Sequence, residues 1–317
     1  MSHYIKPSKK IWTGRQSEQQ LYLHEKVVCL PIGDLQRQSG KTFALLGYAC
    51  DEGVKRNQGR VGAKDGPQHI RRALAKMPNH LPQKKYVFDL GDVICPDGDL
   101  ESAQQQLAEH VAQILQSGAL PILLGGGHDM AYGHYNGIKK YLISEKRRPS
   151  IGIINFDAHF DLREDSNGAN SGTPFYQIAN ENDPFHYLCM GIRKDANDRE
   201  LYRTAQKFGV KYLERETFRM QFVEEINKWI KAFLKGVDHV YVTIDLDGFS
   251  SAFAPGVSAA SPMGYSQDIV LESLKTILSS NKLISVDIAE MNPKYDVDDQ
   301  TAKLAASLVH FIVHSLS

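Results

Sequence analysis

Short apolar runs alternating with amphipathic stretches of about ten residues or more leave few folds open to this chain. Thr42–Tyr48 reads as a buried strand, and Pro67–Ala75 as a helix with basic residues between its apolar positions. The same pairing recurs along the chain: Tyr86–Leu90 before Leu100–Gln116, Pro121–Leu124 before Met130–Ile143, and His239–Leu246 before Gln267–Ser279. Ile151–Phe156 is a continuous, mostly apolar run, as expected of a strand covered on both faces. Tyr187–Ile192 and Val210–Leu213 are weaker strands around a helix near Glu200–Phe208. Phe218–Leu234 is amphipathic, and Leu283–Ala289 precedes a last helix over Asp298–Leu316. This order predicts an α/β fold with a mainly parallel sheet of about eight strands.

No composition break or Pro/Ser-rich linker interrupts the pattern. The 317 residues therefore read as one domain (1–317), with residues 1–40 as an N-terminal extension. The 37 basic and 37 acidic residues balance, which argues against nucleic acid or a membrane surface as partner. Cys29, Cys50, Cys95 and Cys189 are scattered without a CxxC pair. Together with a polar N-terminus, they point to reduced thiols in the cytoplasm.

In sheets of this kind ligands bind beyond the carboxyl ends of the strands. Four segments rich in acid or histidine fall at those ends: Gly125-Gly126-Gly127-His128, Asp157-Ala158-His159-Phe160-Asp161, Asp245-Leu246-Asp247 and Asp287-Ile288-Ala289-Glu290. If the chain runs on extended, residues i, i+2 and i+4 share a side. Asp157, His159 and Asp161 would then point together, as would Asp245 and Asp247. With His128 this makes four carboxylates and two imidazoles. Aspartates gathered in this way repel one another and resist desolvation, which two divalent cations would relieve. Six ligands for two ions require bridging carboxylates, and hard oxygen donors with imidazole suit Mn2+, Fe2+ or Co2+. Water shared by two such ions is acidified enough to serve as a nucleophile. A lone DxD after a strand is common, and GGGH often only makes a tight turn; all three motifs in this order leave little room for a purely structural role.

These segments resemble the ureohydrolase family, which includes arginase, agmatinase and formimidoylglutamase. Gly62-Ala63-Lys64-Asp65-Gly66-Pro67 with Ile70-Arg71 is similar to an early stretch of that family, and Asp287–Pro293 to its D-I-x-E-x-N-P. The resemblance implies a three-layer αβα sandwich with two Mn2+ per subunit. One ion would be held by His128, Asp157, Asp161 and Asp245, the other by Asp157, His159, Asp245 and Asp247. Glu290 matches the acid facing the amidine or guanidine nitrogens.

The chain departs from arginase and agmatinase at Gly127, at Ser250-Ser251 after the DxD, and at Ser171, where a His precedes G-T-P. Those departures resemble the formimidoylglutamase branch, as do Asp161-Leu162-Arg163, Ser171-Gly172-Thr173-Pro174-Phe175 and the stretch 51–60. This implies hydrolysis of N-formimidoyl-L-glutamate to L-glutamate and formamide in histidine degradation. Ser171 is a poor proton shuttle, so Asp161 or solvent would serve the leaving amine. A dicarboxylate substrate needs permanent cations, for which Arg163, Arg60 and Arg193 are candidates, with Asn57 and Ser171 beside them. Other readings are a guanidino acid such as guanidinobutyrate, agmatine, a one-metal zinc deacetylase, or a metal-binding regulator without turnover. The expected partner is a small molecule, and the family implies a homo-oligomer.

Overall fold

The computed structural model describes residues 3–145 and 150–316. Ten strands form a single sheet: β1 (Tyr4–Ile5), β2 (Val28–Cys29), β3 (Thr42–Ala49), β4 (Tyr86–Ile94), β5 (Leu120–Gly125), β6 (Ile151–Phe156), β7 (His186–Ile192), β8 (Lys211–Glu214), β9 (His239–Asp245) and β10 (Leu283–Ala289). Their spatial order is β1-β4-β3-β5-β10-β9-β6-β7-β8, with β2 also on β4. Among the described residues only β1 runs antiparallel. The expected count of about eight is corrected to ten. The two additions are two-residue strands near the N-terminus, too short to leave any periodicity in the sequence.

Each central strand serves two cores. Along β6, Ile151 and Ile153 enter one hydrophobic cluster while Ile154 and Phe156 enter the other. That alternation follows from the period of two along a strand. Each such buried side chain contributes on the order of 1.5–3 kcal/mol. Helices Gly66–Ala75, Val223–Lys235, Gln267–Leu278 and Gln300–Ser315 cover one face. Helices Leu100–Gln116, Met130–Ser144, Pro174–Glu181 and Arg199–Lys207 cover the other, giving three layers. Leu100–Gln116 starts where Asp99 accepts the Ser102 amide, and it buries Leu107, Val111 and Ile114 on one stripe.

The N-terminal segment is tied to the sheet edge through a buried ion cluster. Arg71 meets Asp89 at 2.9 Å and Asp92 at 2.6 Å, and the Trp12 indole donates to the other oxygen of Asp89. Toward the middle of the sheet, β5, β10, β9 and β6 are consecutive neighbours, all parallel. Their carboxyl ends therefore bring the four acidic or histidine-bearing segments to one place.

Candidate metal centre

The six expected ligands converge, but the backbone does not run on extended as the sequence pattern suggested. The strand stops at Phe156, the chain bends at Ala158-His159, and Asp161 takes a φ of 49°. Asp245 likewise ends β9, and Leu246–Gly248 forms a 3-10 turn. Local hydrogen bonds impose these bends. Asp157 Oδ1 accepts the His159 amide at 2.7 Å, Asn197 accepts the Phe160 amide, and Asp245 Oδ1 accepts the Asp247 amide at 2.8 Å. Glu290 also has a left-handed φ, 67°. Non-glycine residues hold such conformations only where surrounding structure imposes them, and functional sites are the usual place.

Two groups of donor atoms result. His128, Asp157, Asp161 and Asp245 form one, and Asp157, His159 and Asp247 the other. His128 Nδ1 lies 2.9 Å from Asp161, 2.9 Å from Asp245 and 3.3 Å from Asp157. It nevertheless hydrogen-bonds to none of them, and is buried without a partner. Asp247 Oδ1 and Glu290 Oε2 are likewise buried and unpartnered. Buried polar atoms that approach one another this closely without hydrogen-bond geometry fit a cation at their centre. Asp157 belongs to both groups, whereas Asp245 gathers only with the first.

The electrostatics agree with that fit. Burial and the Asp157 charge push the Asp161 carboxyl up to about 6. Burial, then the Asp245 charge, raise Asp247 and Glu290 well above the carboxylate range. Burial opposes protonation of His128, but Asp245 with Asp157 and Asp161 outweighs it and raises the imidazole well above its usual value. His159 follows the same pattern, with Asp247 as its main partner. Burial and mutual repulsion thus disfavour the charged forms of these carboxyls, and divalent ions would relieve both.

The donors open into a cavity of about 1070 Å3, lined by His128, His159, Asp161, Asp245, Asp247 and Glu290. Glu290 Oε1 accepts the His128 amide at 2.8 Å, leaving Oε2 for a ligand. Asn57, Arg163 and Ser171 also line this cavity. Asn57 Nδ2 donates to Ser171 Oγ at 3.1 Å, which leaves the serine hydrogen for another acceptor. The Arg163 side chain lies against Gly172, where any Cβ would come within 2.9 Å of its Cδ. Arg56 on the same wall is already paired with Glu101, whereas the Arg163 guanidinium meets no carboxylate among the described residues. The two other arginines expected here do not line the cavity. Arg60 is bound to the carbonyls of Val257 and Ser258 and lies 3.9 Å over the Tyr295 ring; Arg193 pairs with Asp195 at 2.6 Å.

Several contributors were not legible from the motifs. Asp129, one residue past His128, is fully buried and accepts the Tyr48 hydroxyl at 2.7 Å; burial raises it to about 7. Its carboxylate passes 2.5 Å from where a Gly127 Cβ would stand, so no side chain fits at 127. Asn155 donates to Asp157 from within β6. No local pattern marks a lone Asn inside an apolar run as a bracket for a ligand.

Comparison with known proteins places this arrangement. A model of the Arginase family matches residues 41–314. A Geobacillus sp. (strain WCH70) protein named formimidoylglutamase is 40% identical, over 97% of this chain and 97% of that protein. One of the same name from Chromobacterium violaceum is 45% identical over 94% and 96%. Among solved structures, formimidoylglutamase from Bacillus subtilis superposes with a TM-score of 0.80 at 23% identity, covering 95% and 94% of the two chains. A Trypanosoma cruzi formiminoglutamase solved with Mn2+ gives 0.76 at 22% identity, covering 90% and 98%. At those identities the two structures speak to a shared fold.

Proposed function

The chain belongs to the arginase family, and from that premise we propose that it hydrolyses N-formimidoyl-L-glutamate to L-glutamate and formamide. One observation carries the reading: two convergent ligand groups share a cavity with a single unengaged guanidinium, that of Arg163. An anionic substrate with an amidine-like head suits that pairing, and relatives about 40% identical across nearly the whole chain carry the matching name.

Two Mn2+ per subunit fit the donor chemistry, with His128, Asp157, Asp161 and Asp245 for the first and Asp157, His159 and Asp247 for the second; Asp245, two residues from Asp247, would join the second ion as a bridge. When bound, they supply positive charge and a water of lowered pKa. The protein's own groups orient the substrate. Glu290 Oε2, held in place because Oε1 takes the His128 amide, receives an N–H of the formimidoyl head. Arg163 takes a substrate carboxylate in a bidentate pair, and the Ser171 hydroxyl, turned by Asn57, donates to the substrate tail. In the net reaction, water oxygen joins the formimidoyl carbon and the bond from that carbon to the glutamate nitrogen breaks. Asp161 or solvent passes a proton to the departing nitrogen.

The working form is a homo-oligomer in the cytoplasm, each chain acting as one domain over residues 1–317. Four free thiols accord with a reducing compartment. No described helix is long and apolar enough to cross a membrane.

The deciding assay offers the Mn-loaded protein N-formimidoyl-L-glutamate and 4-guanidinobutyrate, measuring formamide and urea. Formamide release from the first should dominate. Faster urea release from the second would move the assignment to a guanidino acid, and inertness toward both would favour a regulator without turnover.

A further inference from the structure

Behind His128, away from the cavity, lies a chain of polar groups that the proposed reaction does not use. His128 Nε2 meets Thr243 Oγ1 at 2.8 Å, and Thr243 donates to Asp287 Oδ1 at 2.6 Å. The other Asp287 oxygen accepts the Tyr241 hydroxyl and meets His134 Nδ1 at 2.6 Å. His134 Nε2 meets Ser285 Oγ at 2.5 Å, and Ser285 donates to the Pro121 carbonyl at 3.1 Å. Thr243, Asp287, Tyr241, His134 and Ser285 are all fully buried, and His128 is 1% exposed. They come from the helix Met130–Ser144 and from β9 and β10, so three elements are committed to this chain.

Hydrogen counting fixes its direction. Thr243 has one hydroxyl hydrogen and gives it to Asp287, so its oxygen can only accept from His128. His128 therefore carries a hydrogen on Nε2, which leaves Nδ1, the nitrogen turned toward the three aspartates, as the one available to a cation. Ser285 Oγ lies within hydrogen-bond reach of both His134 Nε2 and the Pro121 carbonyl, and so anchors the far side of that ring. Asp287 is held by three donors at once, which fixes the carboxylate in orientation behind Thr243. Buried polar groups of this number would be replaceable by apolar ones at no cost to folding if packing were their only task.

We infer that Asp287, braced by Tyr241, His134 and Ser285, acts through Thr243 as a positioning relay that fixes the tautomer of His128 and strengthens it as a ligand of the first cation. The inference rests on the two-cation reading above. His128 belongs to one donor group only, so the relay acts on one of the two ions. His159, the imidazole of the other group, is a quarter exposed at the cavity wall, and the relay does not reach it.

The test titrates metal-free full-length protein with Mn2+, following free Mn2+ by electron paramagnetic resonance. Wild type should bind two ions per chain, and His128→Asn should abolish one step and so identify it. Thr243→Val, which keeps shape but removes the acceptor, should weaken that step about 10- to 100-fold. The other step should stay within about twofold of wild type, and Thr243→Ser should recover most of the loss. A T243V protein that binds like wild type, or one in which both steps weaken alike, overturns the relay. Should T243V not fold, Tyr241→Phe decides: removing one of the three donors should weaken the same step about threefold, and no change in that step is fatal. Wild type that takes up fewer than two ions defeats the two-cation reading itself, an outcome distinct from two normal steps that ignore Thr243.

Discussion

Replacing Arg163 by methionine should cost the enzyme its hold on the substrate tail while leaving its chemistry intact. Methionine keeps most of the aliphatic stem that lies against Gly172 and removes only the guanidinium. A charge-assisted hydrogen-bonded pair contributes about 1.5–3 kcal/mol. Arg163 is exposed at the rim of an open cavity, so the lower half of that range applies, about 1.5–2 kcal/mol. By transition-state arithmetic this is about a 10- to 30-fold loss in kcat/KM. The carboxylate is remote from the formimidoyl carbon, and its contact is equal in ground and transition states. The loss should therefore fall on KM, with kcat within about threefold. Steady-state formamide release from N-formimidoyl-L-glutamate measures both constants. N-formimidoylglycine, which lacks the side-chain carboxylate, and N-formimidoylglutamine, in which it is neutral, then show which carboxylate is read. For the substrate lacking the partner of Arg163, wild type and variant should converge. A uniform loss across all three substrates would place the pair on the α-carboxylate, which all three retain; a variant with unchanged KM would sink the assignment of Arg163 as the carboxylate clamp.

Other outcomes follow from the same geometry. Asp157→Asn should lower bound Mn2+ from two per chain toward none, because Asp157 serves both donor groups; elemental analysis retaining two ions would contradict a bridging role. Glu290→Gln keeps an oxygen for the His128 amide but removes the charge, so kcat should drop about 10^2- to 10^3-fold with metal content unchanged. Metal-free protein should lose stability as pH rises. Asp161 has a folded value near 6 against about 3.9 unfolded, so its contribution is present below pH 4 and lost on passing 6. His128 and His159, both raised, extend the decline above that. Thermal melts at pH 5 and 7.5, with and without Mn2+, should show the fall only without the ion. Arg71→Met should cost about 3–5 kcal/mol, since it strands Asp89 and Asp92 at a buried site; denaturant unfolding at pH 7 reads the loss directly.

The sheet was legible wherever a strand is long enough to show its character. β6 and β10 match their expected limits residue for residue, because runs covered on both faces are mostly apolar. β1 and β2 left no mark, since two residues carry no period, and they are held by β4 and by the Trp12 contact to Asp89 rather than by their own sequence. The amphipathic stretch from Phe218 becomes helix only at Val223, after a 3-10 turn over Met220–Phe222. Phe218 is itself buried against Tyr265, so its apolar character reports packing and not helix.

The convergence of the six candidate ligands was legible for a reason that differs from the one first offered. An extended chain would have put Asp157, His159 and Asp161 on one side by alternation, yet the chain bends after Phe156 and Asp161 sits in the left-handed region. The spacing works because the side chains build the bend themselves: Asp157 takes the His159 amide, and Asp245 takes the Asp247 amide two residues on. One oxygen of each aspartate is spent on folding its own loop, and the other is left facing the neighbouring groups. The same economy explains what could not be read. Arg60 and Arg193 are arginines near the right segments, but carbonyls and Asp195 have already claimed them. Arg163 differs only in that no described neighbour does so. A sequence names the residues that can do chemistry; which of them remain uncommitted is decided by contacts far apart along the chain, as between Asp287 and His134, 153 residues away. Residue type is therefore a better guide to the candidate metal ligands, whose clustered burial calls for counter-charge, than to the substrate tail, where any exposed cation is tolerated.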